Sequence, residues 1–115
     1  MRQDNAYLED INLAARRIAS YLQGVTKKDF LANDMMKAAV VRELEMMGEA
    51  SANVSQPTKS LHPEVPWRSL KNLRNLYIHA YHTVNYERVW STANSIAPRI
   101  QRAVEAMIPE GDEEA

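Results

Sequence analysis

Residues 33–54 read NDMMKAAVVRELEMMGEASANV, and their spacing decides the fold. Met36, Ala39, Val40, Leu44, Met47, Ala50 and Val54 recur at three- and four-residue steps, which lays one apolar stripe along a helix. Asn33 and Asp34 stand where such a helix wants its caps. Gly48 is the anomaly. Inside a helix it costs about 1 kcal/mol relative to Ala, so its presence predicts close packing against a neighbouring element.

Working outward, Tyr7, Leu8, Ile11, Ala14, Ala15, Ile18, Tyr21 and Leu22 repeat the same spacing, and Gly24 follows as the expected stop. Thr26 and Asp29 form a capping-box pattern that opens a short turn through Phe30 and Leu31. Residues 55–66 carry three Pro and are expected to be loop. Pro66 suits the first turn of a third helix, whose buried side would be Trp67, Leu70, Leu73, Tyr77 and Ala80. Asn85 can cap a fourth helix over about 86–107, with Val89, Trp90, Ala93, Ile96, Ala97, Ile100, Val104 and Met107 facing inward. Pro98 predicts a kink or break near Asn94 to Pro98. No strand alternation occurs. The expectation is an all-α, up-and-down four-helix-type bundle with a short extra helical turn. It forms a single domain over 1–109, followed by a disordered acidic tail over 110–115.

Composition narrows the function. Of 115 residues, 45% are hydrophobic and 25% charged, which suits a folded globule and not a disordered chain. No apolar run approaches the roughly 18 residues of a membrane span, and the first residues lack a signal core, so a cytoplasmic location is expected. With no Cys, disulfides and thiolate metal sites are excluded. The formal net charge of −1 hides an asymmetry: residues 66–102 carry Arg68, Lys71, Arg74, Arg88, Arg99 and Arg102 against Glu87 alone, whereas residues 103–115 carry five acids and no base. A positive segment of this kind either attracts a polyanion or is an ordinary basic helix face.

Residues 73–81, LRNLYIHAY, bring Arg74, Asn75, His79 and Tyr81 together within that segment. These parts suit RNA cleavage without a metal. A histidine can move a proton near neutral pH, an arginine can hold phosphate oxygens through two donors, and RNA brings its own 2′-hydroxyl nucleophile. On one straight helix, however, Arg74 and His79 diverge by about 140° while Arg74 and Tyr81 share a face. A local distortion or a second copy of the chain must close that gap. By spacing alone, an Arg74 ion pair and a His79 near a helix end explain the stretch better than catalysis does. His79 and His82 are three apart, but no third metal ligand is indicated, and neither metal nor cofactor is expected.

Arg74 through His79 matches the Arg-x4-His signature of HEPN domains, and Tyr81 extends it to the Arg-x4-His-x-Tyr form of the HepT-like family. The resemblance continues through Tyr7–Ile11, Asp29–Leu31, the Val41–Ala50 block, Pro66-Trp67 and Val84–Trp90, in that order along nearly the whole chain. It implies a HEPN-like helical bundle forming a homodimer, with the two signatures facing a shared cleft. It also implies a metal-independent endoribonuclease that serves as the toxin of a type VII-like toxin–antitoxin pair. A small nucleotidyltransferase antitoxin would neutralise it by adding AMP to Tyr81. Carried over by position, Arg74 would stabilise the scissile phosphate and His79 would act as acid or base. Asn75 and Tyr81 would order the site, with Arg42 in support. Ala80 and Asn85 depart from the family, which commonly has Gly and Asp there. The alternative is a non-catalytic helical partner or nucleotide-binding subunit of a nucleotidyltransferase.

Overall fold

The computed structural model describes residues 2–74 and 84–109. Among them the chain is helical, in the order α1 (Arg2–Tyr21), α2 (Lys27–Leu31), α3 (Asp34–Ala52), α4 (Gln56–Leu61), α5 (Trp67–Lys71), α6 (Tyr86–Ser91), a π-helical turn (Thr92–Ile96) and α7 (Ala97–Met107). No strand occurs among the described residues. Helix α1 packs against α3 and α7, α5 lies on α3, and α2 bridges α3 and α6. The result is the helical bundle expected from the apolar stripes.

Those stripes form the core. Leu8, Ile11, Ile18, Val40, Val41, Leu44, Met47, Leu70, Ile100 and Val104 are all but sealed from solvent. Phe30, fully buried on the short helix α2, sets its ring 5.4 Å from that of Trp90. Burying such a ring stabilises by about 1.5–3 kcal/mol, enough to fix a helix too short to persist alone.

The boundaries follow the local chemistry. Gly24 takes φ +75° after α1, a conformation open to residues without a Cβ. Thr26 and Asp29 complete the capping box at α2, and Asn33 accepts from the Met36 amide at the start of α3.

Three expectations need correction. Residues 56–61 are not loop but the short helix α4, because Pro57 falls in its first turn, where a missing N–H does no harm. The third helix does not run on through Arg74: α5 ends at Lys71 and residues 72–74 form a turn, because the Leu73 and Arg74 amides bond three residues back and not four. The break expected near Pro98 is present, as a π-helical turn over Thr92–Ile96. Pro98 offers no amide to the Asn94 carbonyl, and the turn widens so that the Ala97 amide donates to the Thr92 carbonyl five residues back. The extra residue in that turn rotates Ile96 outward, leaving it 37% exposed where an unbroken helix would have buried it.

Buried polar groups tie the helices together. Asp4 accepts the Ser55 amide at 3.0 Å, the Ser55 hydroxyl at 2.6 Å and the Thr58 hydroxyl at 2.5 Å, which fastens the start of α1 to the start of α4. Burial pushes its carboxyl up, but the hydrogen bonds from Ser55 and Thr58 outweigh this and hold its pKa below the ordinary value. Glu43, buried on α3, accepts from the Tyr21 hydroxyl at 3.2 Å, with the Arg17 guanidinium 4.0 Å away. At the opposite edge of α1, Arg16 pairs with Glu105 and the Gln101 amide donates to Asn12, tying α1 to α7.

Candidate active site

The basic segment begins at α5, which is held at both ends. The Trp67 indole donates to the His62 carbonyl at 2.9 Å, and Leu70 is fully buried against α3. The chain then closes a tight turn, with the Leu73 amide donating to Leu70 at 3.0 Å and the Arg74 amide to Lys71 at 3.2 Å. Arg74 therefore emerges from a turn whose base is anchored in the core.

Gly48 makes this placement possible. A Cβ built at Gly48 would lie 2.7 Å from the Arg74 nitrogen, 2.8 Å from the Leu70 carbonyl oxygen and 3.0 Å from the Leu73 carbonyl carbon. All three are backbone atoms, so only glycine lets α3 and the α5 turn approach this closely. The close packing that the sequence predicts at Gly48 thus falls on the arginine of the signature.

The next residue on α3 meets the Arg74 side chain. Glu49 Oε1 lies 3.4 Å from Arg74 Nε. Nε is buried and makes no hydrogen bond of good geometry, whereas the Arg74 side chain as a whole keeps 38% of its surface exposed. The sequence places Glu49 in a family-like block without giving it a role. Its partner follows only after α4 and α5 along the chain, and the neighbouring Gly48 alone hinted at a contact there.

Arg42, expected in support, is exposed on α3 and makes no ion pair among the described residues. It stands seven residues before Glu49, roughly two turns along the same helical face. Asn75, His79 and Tyr81, together with Ala80 and His82, lie outside the described residues. The chain is described again at Val84. There Asn85 caps α6 by accepting from the Glu87 and Arg88 amides, both at 3.1 Å.

A cavity of about 590 Å³ opens between α3, the end of α5 and the α6–π segment, lined in part by Leu44, Leu73, Val84, Arg88 and Ser95. Leu73 and Val84 border the signature on either side in the chain. Arg68, Lys71, Arg88, Arg99 and Arg102 are exposed and have no acidic partner among the described residues, so the positive charge seen in the sequence is carried on the surface. Among the described residues no three His, Asp or Glu side chains converge so as to hold a metal ion. None of the described helices is long and apolar enough to cross a membrane.

Comparison with known proteins identifies the family of the chain. The family model described as ribonuclease HepT-like matches residues 11–107. A Thermococcus cleftensis protein named "Probable ribonuclease HepT" is 37% identical over 92% of this chain and 96% of its own length. A "Putative RNase" of Methanocaldococcus jannaschii is 33% identical over 90% of this chain and 95% of its own. Another so named, from Caldanaerobacter subterraneus subsp. tengcongensis, is 30% identical over 94% and 96% respectively. No solved structure matches the chain. By the family model and these relatives, the chain belongs to the HepT-like ribonuclease family.

Proposed function

We propose that this chain is a metal-independent endoribonuclease and the toxin of a toxin–antitoxin pair, acting as a single domain over 1–109 in the cytoplasm. The observation that carries the reading is the seating of Arg74, its backbone held against Gly48 and its side chain half-exposed: a permanent cation fixed within a basic segment, in a chain of a ribonuclease family.

Arg74 grips the non-bridging oxygens of the scissile phosphate and offsets the charge that grows on them. The 2′-oxygen forms a bond to phosphorus as the bond to the 5′-oxygen breaks, so one proton must leave the former and one must reach the latter. His79 performs such a transfer. Two copies in a homodimer supply two histidines, which meets both needs. Asn75 and Tyr81 order the site, with Arg42 supporting it from α3. The partner nucleotidyltransferase transfers AMP from ATP to the Tyr81 hydroxyl, which loses its proton as the α–β phosphoanhydride bond breaks and pyrophosphate leaves. The added phosphate occupies the cation that RNA would use.

The test is cleavage of total RNA by protein whose intact mass shows no AMP, with EDTA present and His79→Ala alongside. Wild-type cleavage that His79→Ala abolishes, with a rate varying between about pH 5 and 8, is the expected result. Equal cleavage by His79→Ala overturns the assignment of that residue. Absence of cleavage by the unmodified wild type overturns the ribonuclease reading.

A further inference from the structure

We infer that Glu49 is a positioning residue that aims the Arg74 guanidinium at the RNA phosphate. The inference rests on the reading of Arg74 given above, and three observations carry it.

The first is the choice of atom. Glu49 Oε1 addresses Nε, 3.4 Å away, and Nε is the buried atom of a side chain that is otherwise partly open to solvent. Guanidinium carries five donors in a rigid planar fork. An arginine steadied through Nε keeps both Nη groups for the two oxygens of a phosphate, whereas one steadied through the Nη groups would not.

The second is the mounting. Gly48 and Glu49 are consecutive on α3. Gly48 fixes the Arg74 backbone through an approach that no Cβ would permit, and Glu49 fixes its side chain. Two neighbouring residues of one long helix therefore define both ends of the arginine. Aim set from a rigid element is more reproducible than aim set from a loop.

The third is the sign of the charge. An acid beside a phosphate site repels RNA, and a half-exposed ion pair without good hydrogen-bond geometry stabilises the fold little. A carboxylate in this place therefore opposes RNA binding and contributes little to folding. Orientation of Arg74 is the effect that remains.

Glu49→Gln separates these roles, because the side chain is 60% exposed and the substitution keeps its shape. Positioning predicts that kcat for RNA falls on the order of 10- to 100-fold, the scale of a lost alignment of about 1 Å, with KM within about twofold. A bystander charge predicts the reverse, tighter RNA binding and equal or faster cleavage. Either of those results overturns the inference.

A second readout needs no cleavage. The Arg74 Nε–H resonance of the full chain, assigned by its loss in Arg74→Lys, is expected to move in Glu49→Gln while backbone amides in the core stay in place. An unmoved Nε–H resonance overturns the inference even where RNA is cut normally by the wild type. Wild-type protein that cuts no RNA defeats the ribonuclease reading instead, and the resonance alone then decides the place of Glu49.

Discussion

Two acid-centred ties hold short helices to the bundle, and they are built differently. At Asp4 every contact is short and saturated: one amide and two hydroxyls converge on a buried carboxylate at 2.5–3.0 Å. At Arg74 the contact with Glu49 is 3.4 Å, its buried Nε lacks a hydrogen bond, and both partners keep exposed surface. A tie that serves only the fold satisfies its donors, because each unpaired buried group costs about 1–3 kcal/mol. A tie left incomplete keeps capacity for a ligand. The Asp4 cluster is thus a structural clamp, whereas the Arg74 tie leaves part of the guanidinium side chain open to solvent, as the role proposed for it in RNA cleavage requires.

Gly48→Ala breaks the second tie most severely. The new methyl meets backbone on three sides, so α3 and the α5 turn must separate by several tenths of an ångström. Overpacking of this kind costs typically about 1–3 kcal/mol. The displacement falls on Arg74, so RNA cleavage should drop by on the order of 100-fold as well. Thermal unfolding and a cleavage assay on the same preparation measure the two losses. A variant as stable and as active as wild type would show that the close approach does not fix the arginine.

Asp4→Ala breaks the first tie and should leave chemistry alone. Removing the carboxylate strands the Ser55 amide and frees two hydroxyls, a loss of about 1–3 kcal/mol with RNA cleavage at pH 7 unchanged. Because the folded pKa of Asp4 is lowered, its contribution is fully present above the unfolded value of about 3.9 and is lost as pH falls through the lower native value. Urea midpoints taken across pH should therefore show a constant gap between wild type and variant above about pH 5. That gap closes below about pH 4.

The contrast also marks what the sequence could disclose. Stripes at three- and four-residue steps report burial directly, which is why Leu8, Ile11, Val40, Leu44, Ile100 and Val104 were legible, as were the Thr26 and Asn33 caps and the Gly24 turn. Helix α4 was not legible, since six residues give no period and the prolines around it argue for loop. Ile96 was misread because the periodicity assumes an unbroken helix, and the π turn before Pro98 shifts the phase. Both ties escaped for one reason: Asp4 and Ser55 are 51 residues apart, and Glu49 finds Arg74 across two elements. Periodicity reports which face is buried and is silent about which polar group answers which. Arg74 itself was legible by type and by resemblance, while Asn75, His79 and Tyr81 lie outside the described residues.

The smallest expected effect sharpens the comparison from the other side of the signature. Asn85 caps α6 through one oxygen that accepts two amides, and aspartate offers the same oxygen. Its added charge gains a little from the helix dipole and loses a little to the neighbouring Glu87, so Asn85→Asp should alter stability by no more than about 0.5 kcal/mol. A change in RNA cleavage in this variant would then have no source in the fold. Cleavage within about twofold of wild type, the expected outcome, leaves position 85 a cap and confines the working residues to the Arg74 side. A larger change would mean that charge at position 85 reaches the phosphate, and the site would extend from the α5 turn to the start of α6.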